Sequence, residues 1–147
     1  MSYNIHPGAP ADTTLDVMIA GLVMTTYSAG ATYTYQNAEG TMSLTIASDE
    51  ITLPTGRYMC EAWPYVDVAT TSDQILFKWQ RDSGSGFSDE GILGQIQVIN
   101  DAEGERDVAM AQFDVTSSDT IRLIVDTLTS TGTPVDAGGL VVIWRYI

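Results

Sequence analysis

The chain has 147 residues, enough for one domain with a sizeable core, and its single cysteine, Cys60, excludes an internal disulfide or a cysteine-rich zinc site. Nineteen acidic against six basic side chains give a net charge of −13, which argues against a nucleic-acid partner because counterion release needs clustered cations. The sole histidine, His6, stands beside Pro7 in a segment with no apolar period, which argues against a histidine-based triad or a histidine-ligated metal site.

Residues 1–14 hold Pro7, Gly8, Pro10 and Asp12 and read as an extended N-terminal arm, with Tyr3 and Ile5 as isolated anchors. No basic segment precedes an apolar run there, so no signal peptide is expected. Leu15 to Met24 is almost wholly apolar but far below membrane-spanning length, and Val17, Val23 and Thr25 to Tyr27 tilt it towards a strand. No membrane partner follows from it. Thr32 to Tyr35 alternates, placing Tyr33 and Tyr35 on one face, and Asn37 to Gly40 reads as a turn. Met42, Leu44 and Ile46 then share one side of a strand whose other side is wet.

Ile51 to Leu53 is a short strand, and Pro54-Thr55-Gly56 reads as a tight turn into a long strand from Arg57 to Val68. There Tyr58, Cys60 and Ala62 point one way and Met59, Glu61 and Trp63 the other, until Pro64 implies an edge or a bulge. Ile75, Phe77 and Trp79 alternate before a glycine and serine loop over 81–91, and Ile92, Ile96 and Val98 return as a strand. Ala109 to Val115 and Ile121 to Val125 alternate about Ser117-Ser118-Asp119, which predicts an antiparallel hairpin. Thr127 to Ala137 reads as a loop, and Gly138 to Ile147 as a closing strand.

Eight to ten short strands, with no sustained helical period, predict an all-β sandwich or barrel over residues 15–147 behind the arm. The closing strand is apolar on both faces. Leu140, Val142, Trp144 and Tyr146 lie on one side and Val141, Ile143 and Ile147 on the other, with Arg145 the only charge there. One face meets the subunit's own core and the second needs a cover, since each large apolar side chain left in water forfeits about 1.5 to 3 kcal/mol. Another subunit supplies that cover in our reading, with Val17, Ile19, Val141, Ile143 and Ile147 as the oligomer interface.

The chemistry-bearing candidates are few. Asp49/Glu50 and Asp89/Glu90 are adjacent carboxylates, which on a strand face opposite ways and so make a poor glycosidase pair. Asp101, Glu103, Glu105 and Asp107 alternate in one acidic stretch and offer hard oxygen ligands for calcium, but Arg106 intrudes and a solvated loop is the simpler reading, so no cofactor is expected. Trp63, Tyr65, Trp79 and Phe87 would form a sugar platform if gathered on a surface, whereas such residues in β proteins more often serve core or interface. No catalytic residue emerges, and the chain does not read as an enzyme.

Three pieces in order carry a resemblance: Ile51-Thr52-Leu53-Pro54-Thr55-Gly56-Arg57-Tyr58, then Phe113-Asp114-Val115-Thr116-Ser117-Ser118-Asp119-Thr120-Ile121-Arg122-Leu123, then Gly138-Gly139-Leu140-Val141-Val142-Ile143. They resemble the strand beginnings and closing strand of the tumour necrosis factor and complement globular-head superfamily. That resemblance implies a ten-stranded jelly roll assembled as a homotrimer. A lysine-poor, threonine-rich jelly roll behind a short arm further resembles a bacteriophage capsid decoration, or cement, protein. The implied setting is the outer capsid surface of a virion, with the major capsid protein as partner and Tyr3 and Ile5 as capsid anchors. The alternative is the receptor- or glycan-binding tip of a phage fibre.

Overall fold

The computed structural model describes residues 15–24, 28–68, 73–99, 102–128 and 134–146, all of them strand, turn or extended segment. In chain order the strands are β1 (Leu15–Val23), β2 (Thr34–Gly40), β3 (Thr45–Ala47), β4 (Glu50–Val68), β5 (Asp73–Asp82), β6 (Phe87–Ile99), β7 (Ala102–Arg106), β8 (Ala109–Leu128) and β9 (Pro134–Tyr146). They form an antiparallel jelly roll whose hydrogen-bonded path runs β2-β1-β9-β4-β8-β5-β6-β7, with β3 added beside β4.

The path folds over on itself at β8. Its first half, Ala109 to Val115, pairs with Ala62 to Gly56 of β4, while its second half, Thr120 to Leu128, pairs with Asp82 to Ile75 of β5. Ile92 of β6 bridges back to Met110. The predicted hairpin at Ser117-Ser118-Asp119 is therefore corrected to one continuous strand of 20 residues. The turn expected at Pro54-Thr55-Gly56 likewise lies inside β4. Both signals mark one irregularity: Pro54 is opposite Ser118 and Gly56 opposite Val115, so β8 carries an extra residue there. A bulge accommodates Pro and Gly as a turn does, because each lets the ladder lose a regular bond. The Thr55 hydroxyl donates to the carbonyls of Thr116 and Ser117, at 3.3 and 3.1 Å, which satisfies part of the interrupted ladder.

Other turn and loop expectations are absorbed into strands in the same way. Asn37 to Gly40 closes β2 with Asn37 at φ 53°, and the stretch 81–91 is a β5 to β6 hairpin. In that hairpin one Asp82 carboxylate oxygen accepts from the N–H groups of Gly84 and Gly86 at 2.7 and 2.9 Å, fixing the reversal. Conversely, the strand expected from Met42 onward begins only at Thr45.

The core lies between the folded halves and is built from the alternating positions: Met18, Ala20 and Leu22 of β1, Tyr58, Cys60 and Ala62 of β4, Ile75, Phe77 and Trp79 of β5, Phe113, Val115, Ile121 and Leu123 of β8, and Val141 and Ile143 of β9. The Trp79 indole N–H donates to the Ala109 carbonyl at 3.1 Å, so the largest buried ring leaves no orphaned donor. Ahead of β2, Ala31 and Tyr33 run along the free side of β8: Tyr33 N–H donates to Leu123 O, and Val125 N–H to Ala31 O. One end of the core is closed by Arg81, whose guanidinium binds Glu90 and Asp119 and lies 4.7 Å from the Phe113 ring centre.

Candidate assembly face

The outward side of β1, β9, β4 and β8 is fixed by register. Residues directly opposite each other on neighbouring strands share a face, so the ladders define rows across the sheet. One row is Leu15, Tyr146, Arg57 and Asp114, and the next is Val17, Trp144, Met59 and Gln112. The third is Ile19, Val142, Glu61 and Met110, extended by Ile92 of β6. The fourth begins with Gly21, Leu140 and Trp63.

These rows make a contiguous, mostly apolar surface open to solvent. Trp63 is 48% exposed, Leu140 43%, Ile19 39% and Ile92 60%, while Val17, Met59, Val142 and Trp144 are half-buried. Single exposed apolar residues need no explanation, but a run of them across four adjacent strands does. The Trp144 indole N–H is shielded from water and has no acceptor among the described residues.

The rows redistribute the expected interface residues. Val17 and Ile19 lie on the outer face. Val141 and Ile143 are 0% exposed and point into the subunit's own core, so their assignment to an oligomer interface is corrected. The reason lies in their neighbours: Val141 stands between Ala20 and Ala62, and Ile143 between Met18 and Cys60, all inward-facing. Arg145, which made that side look like an outer one, sits at the rim of the core, where its guanidinium pairs with Asp16 at 2.6 Å. The outward set of β9 is Leu140, Val142, Trp144 and Tyr146, and its partners on β4 are Met59, which no interface expectation named, and Trp63, which was weighed as core or interface. Ile147, Tyr3 and Ile5 lie outside the described residues.

Other candidates do not converge. Asp89 accepts from Lys78 Nζ at 2.6 Å, whereas Glu90 accepts from Arg81 Nε at 2.7 Å, so the adjacent carboxylates serve different cations. Lys78 also reaches Asp126, and the lysine beside them holds both Asp126 and Asp89 below the usual carboxylate range. Of the acidic run, Asp101 lies outside the described residues, Glu103 and Glu105 fall on β7, and Asp107 is exposed just beyond it. Among the described residues no cluster of His, Cys, Asp and Glu is placed to hold a metal ion. The aromatic platform is not assembled either: Trp79 is in the core, and the Phe87 ring lies 3.8 Å beneath the Arg122 guanidinium.

No protein-family model matches the chain, and no curated protein matches it. Among solved structures, murine APRIL at pH 5.0 is similar over 88% of this chain and 98% of its own, with a TM-score of 0.54 at 14% identity. The globular domain of zebrafish complement 1qA protein is similar over 90% of this chain and 95% of its own, with a TM-score of 0.57 at 6% identity. At such identities the likeness is one of fold, and the chain adopts a jelly roll of the tumour necrosis factor and complement globular-head type.

Proposed function

We propose that this chain is a non-catalytic jelly-roll module that assembles as a homotrimer through the outer face of β1, β9, β4 and β8 and acts by attachment. The observation that carries the reading is the contiguous apolar face across β1, β9, β4 and β8. A second copy is the occupant favoured by the apolar character of the face, which outweighs the repulsion between two acidic molecules. At −13 the molecule attracts basic partners to its acidic remainder, while this face offers a mate little beyond apolar contact. Obligate interfaces between identical subunits are of this apolar kind. The fold supports the same reading, since the superfamily resemblance implies a trimer.

For the setting of that trimer we infer a virion surface, with the major capsid protein as partner and the arm carrying Tyr3 and Ile5 as anchor. Its support is the lysine-poor, threonine-rich composition and the absence of a converging catalytic cluster among the described residues. The glycan-binding alternative is the weaker one because Trp79 and Phe87 are not available to a sugar. Sedimentation equilibrium at micromolar concentration tests the assembly: a trimer is expected, and a well-folded monomer overturns the reading. Particles prepared with and without the protein test the setting. Occupancy of a regular capsid position is expected, and failure to bind any capsid leaves the trimer standing without this partner.

A further inference from the structure

The only lysine of the chain, Lys78, sits where the ladders on both sides of β5 lose register. On the β6 side Phe77 pairs with Gly94 and Trp79 with Glu90, so Gly91, Ile92 and Leu93 all stand opposite Lys78. On the β8 side Leu76 pairs with Thr127 and Phe77 with Val125, which leaves Asp126 as the extra residue of a second bulge. Lys78 Nζ donates to a carboxylate beside each bulge, to Asp89 at 2.6 Å and to Asp126 at 2.5 Å. The β6 bulge buries little of its own. Ile92 and Leu93 are 60% and 50% exposed, and Ile92 meets the other half of the fold through its bridge to Met110.

Other charges surround this contact without replacing it. Arg122 of β8 donates to Gln80 at 3.0 Å, and Gln80 donates to Asp89 at 3.0 Å. Thr127 donates to Asp126 at 2.9 Å. Arg81, Glu90 and Asp119 form their own cluster on the inward side of the sheet, and Asp82 accepts from the glycines of its own hairpin. Thr32, bridged to Ile124, brings no charge. Farther along the ladder, Asp73 of β5 and Glu103 of β7 both take the register position of Val98, Arg106 takes that of Ile96 with Glu105 just before it, and the Asp107 N–H donates to Gln95 O.

Exposed ion pairs hold little, but the Lys78 side chain is 15% exposed and that of Asp126 27%, so this contact is largely shielded from water. We propose that Lys78 is the pin of an acid-opened section of the fold: with both carboxylates charged it keeps the two bulges in register, and when acid neutralises them β5 parts from β6 and β8 while β9 stays closed between β1 and β4. Such an opening uncovers Phe77 and Trp79, which the closed fold buries.

The sign follows from linkage. Lys78 holds Asp89 and Asp126 below the usual carboxylate range, so their contribution is complete above the ordinary aspartate value of about 3.9 and is lost as the pH falls through the lower folded values. Asp126 and Asp89 in turn raise the lysine, whose contribution is complete below about 10.4 and is lost only as the pH rises through the higher folded value. General charge works in the opposite sense: a molecule with a sequence pI of about 4.1 sheds self-repulsion as it is acidified towards that value.

Amide exchange of the full chain, expressed as protection factors at about pH 6 and about pH 3, on either side of the ordinary aspartate value, tests the proposal. The strands to compare are β5 from Phe77 to Trp79 and β9 from Val141 to Ile143, each flanked by a strand on both sides. In the native chain protection in β5 should fall by about tenfold or more in acid, tenfold being one unit of depression at one carboxylate, while β9 changes less. Lys78→Met should show the lowered β5 protection already at about pH 6. The double variant Asp89→Asn with Asp126→Asn should lose the acid step, whereas Asp114→Asn, which removes the partner of Arg57 on another strand pair, should keep it. Circular dichroism verifies that each variant folds, and if Lys78→Met does not, the native series and the double variant still decide. Equal loss of protection in β5 and β9 of the native chain overturns the proposal, because acid then acts on the whole fold. Native β5 protection in Lys78→Met, or an acid step that survives in the double variant, overturns it as well.

Discussion

Arg145 of β9 donates from Nη2 to Asp16 Oδ2 of β1 at 2.6 Å, joining residues 129 positions apart in the chain. The two stand directly opposite each other in the ladder, on the inward face at the rim of the core. The same guanidinium reaches the Tyr58 hydroxyl, which in turn donates to the Pro54 carbonyl at 2.8 Å. Burial pushes the Tyr58 hydroxyl up, and Arg145 beside it pulls the other way. Side-chain exposures of 27% for Arg145 and 21% for Asp16 mean that neither charge is well solvated. Asp16→Ala should therefore destabilise the fold by about 1 to 3 kcal/mol, the range for a lost hydrogen bond to a charged group. Asp16→Asn, which keeps an acceptor, should lose less, and urea midpoints at neutral pH read the difference.

The two faces of β9 give opposite phenotypes. Ile143→Ala removes buried methyl and methylene groups from the core and should cost about 2 to 5 kcal/mol. Val142→Asp adds a charge on the outside, so it should leave the monomer's urea midpoint nearly unchanged while abolishing association. If the native chain associates and Val142→Asp sediments as it does, the outer face is not the contact.

Gly139 has φ +125°, and a Cβ there would strike the backbone carbonyl of Trp63. β9 runs close to β4 at this point because Gly139 has no side chain. Gly139→Ala should cost about 1 to 3 kcal/mol from backbone strain alone. Protection of amide hydrogens at the adjoining β4 to β9 pairs should fall before protection in the β5 to β8 ladder does.

Cys60 is fully buried beside Ile143, and burial pushes its thiol up. Thiolate is the reactive form, so the native protein should resist alkylation at neutral pH. Labelling should proceed at the rate of global unfolding and rise steeply across the urea transition. Rapid labelling without denaturant would show that the sheet opens locally at β4.

The alternation in β4, β5 and β8 was legible because one side of each strand is buried: Tyr58, Cys60 and Ala62, Ile75, Phe77 and Trp79, and Ala109, Ala111, Phe113 and Val115 all took the inward side as a period of two requires. What the sequence could not separate was a bulge from a turn. Ser117-Ser118-Asp119 and Pro54-Thr55-Gly56 carry turn chemistry, yet they lie opposite each other and kink two strands together. In β9 both sides are apolar, so periodicity defined two faces without saying which was inward. That choice depends on Met18, Ala20, Cys60 and Ala62 on other strands, and the lone charge of Arg145 pointed the wrong way because its partner, Asp16, is distant in sequence.

β9 is the last of the described strands in chain order but lies inside the sheet, hydrogen-bonded to β1 on one side and β4 on the other. A nascent chain therefore cannot close this sheet while β9 is still within the ribosome. Until then β1 and β4 hold facing ladders with nothing between them, and strand edges of that kind pair readily with other chains. The protein's exposure to misassembly should thus be concentrated in the interval between the synthesis of β4 and the release of β9.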